Sequence, residues 1–139
     1  MAKSSRQRVD VGQQTEATIV AELLRRGFRV LTPSGPNQRY DLVLDLDCGF
    51  VRVQCKTGRL RRGVINFSTQ SVQSNRSRRV TRGYAGEADV FVVHCASTNR
   101  IYAIPVDEAP VGYMNLRVDA TKNGQLSGVR WAAEYELPG

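Results

Sequence analysis

The sequence has few of the residues that build metal–thiolate or disulfide-rich proteins. It contains one histidine, His94, and three widely spaced cysteines, Cys48, Cys55 and Cys95, without a CxxC pair. This argues against a structural zinc site. Cys55 and Cys95 lie in apolar stretches, so we expect small buried side chains rather than reactive thiols. His94 is the only histidine that could activate a thiol, but adjacent residues of a strand point to opposite faces.

Long apolar runs are also absent. No stretch approaches the roughly 18 to 20 residues that span a bilayer, and the polar, basic residues 1–8 lack the apolar centre of a secretory signal. Of the 139 residues, 41% are hydrophobic and 24% are charged, as in ordinary globular proteins. We therefore expect a cytoplasmic protein with a single domain, residues 1–139. Residues 1–10 are expected to form a flexible basic arm, and residues 107–139 a C-terminal extension to which the sequence assigns no role.

Acidic residues are missing from one segment. Residues 57–83 contain seven arginines and no acid, whereas the rest of the chain has 13 basic and 13 acidic residues, so this segment carries the whole net charge of +7. Guanidinium groups match phosphate oxygens, which predicts a polyanionic partner. A solvated basic loop is the plainer alternative, and a membrane surface is disfavoured because no apolar face accompanies the charge. The predicted DNA-binding residues are Arg59, Arg61, Arg62, Arg76, Arg78, Arg79 and Arg82.

Hydrophobic periodicity predicts one helix and several strands. Apolar residues recur at helical spacing over residues 15–26, and Gly27 ends the helix. The polar segment 68–83 has no clear assignment. Predicted strands cover residues 28–31, 40–47, 50–56, 63–67, 88–95 and 101–106, with weaker signals at 115–118 and 129–135. This order indicates an α/β (α+β) fold with a central mixed β-sheet flanked by helices.

Two neighbouring strands carry residues suited to phosphodiester hydrolysis. Asp41 opens one strand directly after a loop, and Gln54 and Lys56 share one face of the next strand. Carboxylate, amide and carbonyl oxygens suit a hard divalent cation. Asp41, Gln54 and the backbone carbonyl of Cys55 are the candidate ligands. Glu16 on the helix could act through a water. Lys56 would orient or help deprotonate the attacking water and stabilise the developing negative charge.

Each of these residues also has a plain structural explanation. Asp41 alone fits a turn acid, Lys56 an edge-strand lysine, and Glu16 an exposed acid in the first helical turn. Asp89, before a buried strand, is expected to cap that strand or pair with an arginine rather than join a metal site. The functional interpretation depends on the joint occurrence of these residues with the arginine-rich segment.

Several short segments follow one another in a recognisable order. Glu16 lies on the N-terminal helix, Tyr40-Asp41 on one strand and Gln54-Cys55-Lys56 on its partner; the segments 39–43, 52–58, 84–93 and 101–106 extend the pattern. Over about residues 12–106 the chain resembles the PD-(D/E)xK nuclease superfamily. Within it, the chain is most similar to the group I intron homing endonucleases of this type.

The resemblance implies a nuclease-like core and a magnesium-dependent endonuclease of double-stranded DNA, with Mn²⁺ as a substitute. It implies that Asp41 and Gln54 hold the metal, Lys56 is the catalytic lysine and Glu16 is the helix acid. Tyr40 stands where the pattern has proline. Gln54 replaces the acid of the (D/E)xK step, which removes one negative charge, although glutamine here also resembles the homing endonucleases.

Three other interpretations stay open. A Holliday-junction resolvase-like nuclease would use the same site on branched DNA. A catalytically degraded DNA-binding module would keep the fold and the basic surface, and Gln54 is the feature that favours it. An RNA-binding protein is less favoured, because the few aromatic residues form no stacking platform. For either nuclease, one site per chain implies a homodimer or homotetramer, since cutting both strands needs two copies.

Overall fold

The computed structural model describes residues 5–36, 38–75, 78–119, 124 and 128–137. A long helix, α1, opens this part of the chain, and a short helix, α2, closes it. No helix within these ranges has both the length and the apolar composition needed to cross a bilayer. The elements are α1 (Ser5–Arg25), β1 (Arg29–Leu31), β2 (Leu42–Leu46), β3 (Gly49–Arg61), β4 (Val64–Ser68), β5 (Ser71–Asn75), β6 (Arg78–Arg82), β7 (Val90–Cys95), β8 (Arg100–Pro105), a 3₁₀ helix (Val106–Glu108), β9 (Tyr113–Arg117) and α2 (Ala132–Tyr135).

A mixed sheet of seven strands is built around the long strand β3. β3 runs antiparallel to β2 and β4 and parallel to β7. β1 extends the sheet beyond β2, β8 beyond β7 and β9 beyond β4. β5 and β6 form a separate antiparallel hairpin. The mixed sheet with a helix packed against it confirms the predicted α+β architecture.

The two faces of the sheet build two hydrophobic cores. On one face, Ile19 and Leu23 of α1 pack with Val53 and the other inward residues of the sheet. On the opposite face, Phe91 and Met114 belong to a second core, which α1 does not enter. Because side chains alternate along a strand, neighbouring residues of β3 serve different cores.

The helix begins ten residues earlier than its apolar periodicity predicts. Residues 5–10 are helical, so the prediction of a flexible arm is wrong for them, while residues 1–4 lie outside the described residues. Asp10 and Gly12 are exposed, and exposed polar positions leave no apolar pattern to read. Extending an existing helix adds one hydrogen bond per residue without a new nucleation cost, which explains why polar residues continue it.

The C-terminal segment takes part in the fold. β9 pairs with β4 along its whole length, and both Met114 and Leu116 are fully buried in the second core. The strand expected at residues 115–118 is confirmed with a small shift. The strand expected at residues 129–135 is wrong: residues 129 and 130 have no regular structure, Trp131 makes one isolated bridge to Arg117, and Ala132–Tyr135 form α2.

Gly58 lies where β3 is enclosed between β4 and β7. An added Cβ would lie 2.8 Å from Ile65 Cγ2 and 2.9 Å from Val93 Cγ1. Both neighbours are fully buried, so they have little room to move. We expect Gly58→Ala to lower the free energy of unfolding by about 1 to 3 kcal/mol, measured by chemical denaturation.

The matched control for this prediction is Gly12→Ala, the same substitution on the exposed side of α1. Nothing lies within 4 Å of an added Cβ there. Alanine in a helix interior is favoured over glycine by roughly 0.5 to 1 kcal/mol, so the control should gain stability. A loss of similar size in both variants would contradict the steric explanation for Gly58.

Candidate active site

The loop before β2 brings Asp41 to the end of the sheet. The Asp41 backbone N–H donates to Val53 O at 2.8 Å, and its Oδ2 accepts a hydrogen bond of 2.9 Å from the Cys55 backbone N–H. These bonds hold the carboxylate across the two strands. Burial raises the pKa of Asp41, against the opposing effects of the Cys55 hydrogen bond and the Lys56 charge. The carboxylate is therefore held in a partly desolvated position beside a cation.

Glu16 approaches the same place from α1. It is half-buried and borders a cavity of about 290 Å³ together with Asp41 and residues of the preceding loop. Burial raises the pKa of Glu16, and the negative charge of Asp41 raises it further. Two carboxylates near one cavity create a negative potential that a cation would relieve. The structure thus brings the predicted helix acid and strand acid together.

Gln54 and Lys56 lie on β3 on the face opposite α1. Leu42 pairs with Val53, so Asp41 lies beside Gln54 at the end of the two strands. In the parallel pairing of β3 with β7, Gln54 lies beside Phe91 and Lys56 beside Val93. Phe91 and Val93 belong to the second core, so Gln54 and Lys56 lie on the face of that core, as strand alternation predicts. The Gln54 side chain is half-buried, and its amide has no hydrogen-bond partner among the described side chains and backbone.

The Lys56 amine is held in a polar pocket at the edge of the second core. Its Nζ donates to the backbone O of Gln70 at 3.1 Å and to the hydroxyl of Tyr84 at 3.3 Å. Burial lowers the pKa of Lys56 to about 8; the Asp41 charge opposes this shift and the Arg39 charge adds to it. The amine is therefore close to the range in which it can take up or release a proton at neutral pH.

Tyr84 and Arg39 are functional candidates that the sequence did not indicate. The Arg39 guanidinium lies 4.3 Å from the centroid of the Tyr84 ring, and Lys56 Nζ lies 4.8 Å from it. Arg39 also donates to Ser71 Oγ and pairs with Glu87 at 3.0 Å. The only signal was that both residues fall inside the segments that carry the family resemblance. Nothing in a single sequence pairs residues so far apart.

The candidate ligands are all oxygen donors. Among the described residues, no three His, Cys, Asp or Glu side chains are grouped as a metal site, so Glu16 and Asp41 are the only carboxylates available here. The Cys55 carbonyl points to the same side of β3 as its N–H, and that N–H binds Asp41. Together with the Gln54 amide, these carboxylate and carbonyl oxygens fit a hard cation such as Mg²⁺ or Mn²⁺. Only the two carboxylates would contribute negative charge to its binding.

The seven arginines predicted to bind DNA do not lie on one surface. Arg78, Arg79 and Arg82 are exposed on β6, and Arg82 pairs with Glu87 at 2.7 Å, which links it to the network around Lys56. Arg62 lies in the turn after β3. Arg76 lies outside the described residues.

Arg59 and Arg61 project to the other side of the sheet. Thr57, on the same face of β3, contacts Thr15 of α1 with 2.7 Å between their hydroxyl oxygens. The intervening Leu60 packs against the second core. The alternation of β3 therefore directs both arginines away from Lys56 and toward the α1 side.

Asp89 is confirmed as the partner of an arginine. Its carboxylate accepts hydrogen bonds from the Arg52 side chain at 3.0 and 3.1 Å and from the Arg52 backbone N–H at 2.7 Å. The hydrogen bonds from the Arg52 side chain and backbone lower the pKa of Asp89. These bonds tie the start of β7 to β3, which is a structural role.

The cysteine predictions are also confirmed. Cys95 is fully buried in the second core, and Cys55 packs against the first. Burial raises the pKa of the Cys55 thiol far above its ordinary value, and the negative charges of Asp41 and Glu16 add to the shift. His94 lines a cleft on the α1 side, so it faces away from Cys95.

Comparison with known proteins gives two findings. A sequence model of the family described as PD-(D/E)XK endonuclease matches residues 6–138. Among solved structures, the fold is similar to that of the bacterial homing endonuclease I-Ssp6803I, with a TM-score of 0.74 and 21% sequence identity. This alignment covers 96% of this chain and 89% of that one. No curated protein matches the sequence.

Proposed function

The chain belongs to the PD-(D/E)XK endonuclease family, and from this we propose that it is a divalent-metal-dependent endonuclease that hydrolyses phosphodiester bonds in double-stranded DNA. Family membership confirms the predicted superfamily and supports nuclease function. The observation that carries the proposal is the meeting of Asp41 with a half-buried helix acid, Glu16, on one side and a desolvated lysine, Lys56, on the other.

Asp41, the Gln54 amide and the Cys55 carbonyl would hold the cation, with Glu16 acting through a water. Once bound, such an ion supplies positive charge to the phosphate and lowers the pKa of a nearby water. The position of Asp41 is set by the Cys55 N–H bond, so the carboxylate needs little rearrangement on binding. Glu16 would accept a hydrogen bond from the attacking water and orient it.

Lys56 would act on the reacting phosphate and water. Its two hydrogen-bond acceptors, Gln70 O and Tyr84 Oη, leave one donor of the ammonium free to face the substrate. With a pKa of about 8, the amine can exchange a proton with the water as well as stabilise the charge that develops on the phosphate. The Arg39–Tyr84 stack limits the positions that the lysine can take.

The β5–β6 hairpin is the proposed DNA-contacting element on the Lys56 side. Its base is fixed by Arg39, which binds Ser71 Oγ at 2.7 Å and Gly83 O at 2.6 Å. Arg78 and Arg79 are exposed on the hairpin. A two-stranded ribbon fits the major groove of B-DNA, where arginine reads guanine and also contacts phosphates. This supports a homing-type enzyme that reads a duplex sequence.

Cleavage of both strands requires two active sites of opposite orientation. Each chain carries one candidate site, so we propose a homodimer or a homotetramer, in which a two-fold axis relates the sites. The same symmetry would match a target with related half-sites.

The test is a cleavage assay on a substrate panel. Supercoiled plasmid, four-way junctions and candidate intron-insertion duplexes are incubated with the protein and Mg²⁺, Mn²⁺ or a chelator. We expect cutting with either metal and none with the chelator. Preference for a particular duplex sequence would support the homing-type enzyme, and preference for junctions the resolvase-like one.

A DNA-binding module without useful catalysis is the second candidate. Gln54 favours it, as does the finding that no three His, Cys, Asp or Glu side chains are grouped as a metal site in the described part of the chain. In that case the protein would bind the same panel tightly and with strong salt dependence. It would cut nothing in either metal, and that outcome would overturn the nuclease proposal.

A further inference from the structure

A second polar cleft lies on the face of the sheet opposite Lys56. It has a volume of about 400 Å³ and runs between α1, the last part of β3 and the turn after β7. Thr57 faces this cleft, whereas its neighbour Lys56 faces the other core. The sheet therefore separates the cleft from the Lys56 amine.

The cleft is lined by hydrogen-bond donors and positive charge. Thr15 and Thr18 contribute from α1, and Thr57, Arg59 and Arg61 from β3; none of the lining residues is acidic. Both arginines are exposed, and neither has an ion-pair partner among the described residues. In contrast, Arg25, Arg29, Arg39, Arg52, Arg82 and Arg100 all pair with acids.

His94 contributes an unpaired buried nitrogen to the wall of the cleft. Its Nε2 is buried and has no hydrogen-bond partner within the described part of the structure. Buried polar atoms nearly always have a partner, because leaving one unpaired costs about 1 to 3 kcal/mol. His94 lines the cleft together with Thr18 and Arg59, so this unpaired nitrogen belongs to a side chain of the cleft wall.

We propose that this cleft binds a phosphoryl group. Two guanidinium groups offer paired N–H donors that match phosphate oxygens. The hydroxyl proton that is left over in the Thr15–Thr57 pair can add one more donor, whereas the Thr18 hydroxyl already donates to Gln14 O. The phosphoryl group could come from a DNA backbone or from a free phosphate ester. In either case it is not the scissile phosphate, because Lys56 faces the other side of the sheet and neither Lys56 nor Asp41 lines this cleft. The site is thus additional to the proposed nuclease function.

The first experiment is a titration of the full chain with inorganic phosphate, followed by amide chemical shifts in the presence of a chelator. We expect saturable shifts at Thr57, Arg59 and the turn after β7. The double variant Arg59→Ala/Arg61→Ala should bind phosphate about tenfold more weakly or worse, since it removes charge-assisted hydrogen bonds. Both side chains are exposed, so the variant should remain folded, and the unperturbed spectrum checks this.

The control variant is Arg29→Ala/Arg130→Ala, which removes the same charge from two exposed positions outside the proposed binding surfaces. It should leave phosphate affinity within about twofold, because a general charge effect on a surface is screened. Equal weakening in the two double variants would overturn the proposal, as would shifts that do not saturate or that do not map to the cleft.

The source of the phosphoryl group is decided by competition. A short duplex, or a deoxynucleoside monophosphate, is added to the phosphate-bound protein in chelator. If the duplex displaces phosphate from the cleft and Arg59→Ala/Arg61→Ala weakens duplex binding, the ligand is a DNA backbone. If only the monophosphate displaces it, the ligand is a free phosphate ester. Cleavage plays no part in these readings, so they are independent of the nuclease assay.

Discussion

Lys56→Ala is expected to reduce the rate of DNA cleavage by about 100- to 1,000-fold, the effect of removing one preorganised donor from a site of developing negative charge. Lys56 is the only lysine among the described residues. The neighbouring cation, Arg39, is held by Ser71, Gly83 and Glu87 and is not free to replace it. The measurement is a single-turnover rate constant with saturating protein and Mg²⁺, on the substrate that the panel identifies.

The companion variant Lys56→Met separates chemistry from packing. Methionine keeps an unbranched stem of similar length beside Tyr84 but carries no amine, so it should cut as slowly as Lys56→Ala without leaving a cavity. Both variants should bind DNA in chelator within about threefold of the original protein, because the amine is mostly buried and makes one substrate contact at most. Cleavage at an unchanged rate in either variant would remove Lys56 from the mechanism.

The burial of Lys56 lowers the free energy of unfolding. A pKa lowered from 10.5 to about 8 means that the protonated amine is less stable in the folded chain than in the unfolded one, by about 3 kcal/mol. The unfolded state binds more protons between these two values, so stability rises with pH across that interval. Below pH 8 the fold bears the full cost. Perturbed groups of this kind concentrate at functional sites.

Strand alternation is the part of the site that sequence predicts well. Gln54 and Lys56 share a face, and Cys55 takes the other, because a β-strand allows no different arrangement. The position of Asp41 is equally predictable, since a loop rich in proline and glycine must end where β2 begins. These are local rules, and they apply before any tertiary contact is known.

Other features depend on contacts that one sequence does not contain. The β5–β6 hairpin was not assigned because all five residues of β6 are exposed, and hydrophobic alternation reports only strands with a buried face. Tyr84 reaches Lys56 from 28 residues away, which requires the path of the chain around the second core. The arginines are divided between two faces because β3 continues past Lys56 to Arg61. Along this strand the pairing partner changes from β7 to β4, which the sequence alone does not show.

Asp41→Asn is expected to reduce cleavage by about 100-fold or more, because a lost carboxylate weakens the hold on a cation that supplies several kcal/mol of transition-state stabilisation. The substitution is nearly isosteric. The asparagine carbonyl oxygen can still accept the hydrogen bond that the Cys55 N–H gives to Asp41 Oδ2 at 2.9 Å. The change therefore removes charge and keeps geometry, and the rate is measured as for Lys56.

The same variant should not lose stability in the absence of metal. Burial raises the pKa of Asp41, so its ionised form is disfavoured in the fold at neutral pH, and a neutral amide of the same shape avoids that cost. We expect the thermal midpoint in chelator to stay equal or to rise, in contrast to the loss expected for Gly58→Ala. A carboxylate that weakens the fold while the activity requires it is one retained for chemistry.

Metal binding gives a readout for Asp41 that does not depend on cleavage. A cation that binds only the folded chain raises the thermal midpoint in proportion to the logarithm of its concentration. This rise should be present with Mg²⁺ or Mn²⁺ in the original protein and in Lys56→Met, and largely lost in Asp41→Asn. If Asp41→Asn kept both the metal-dependent rise and the cutting rate, Asp41 would be a structural turn acid and the cation would have to be held elsewhere. Loss of the rise and the rate together, with the fold intact, would assign Asp41 to the metal.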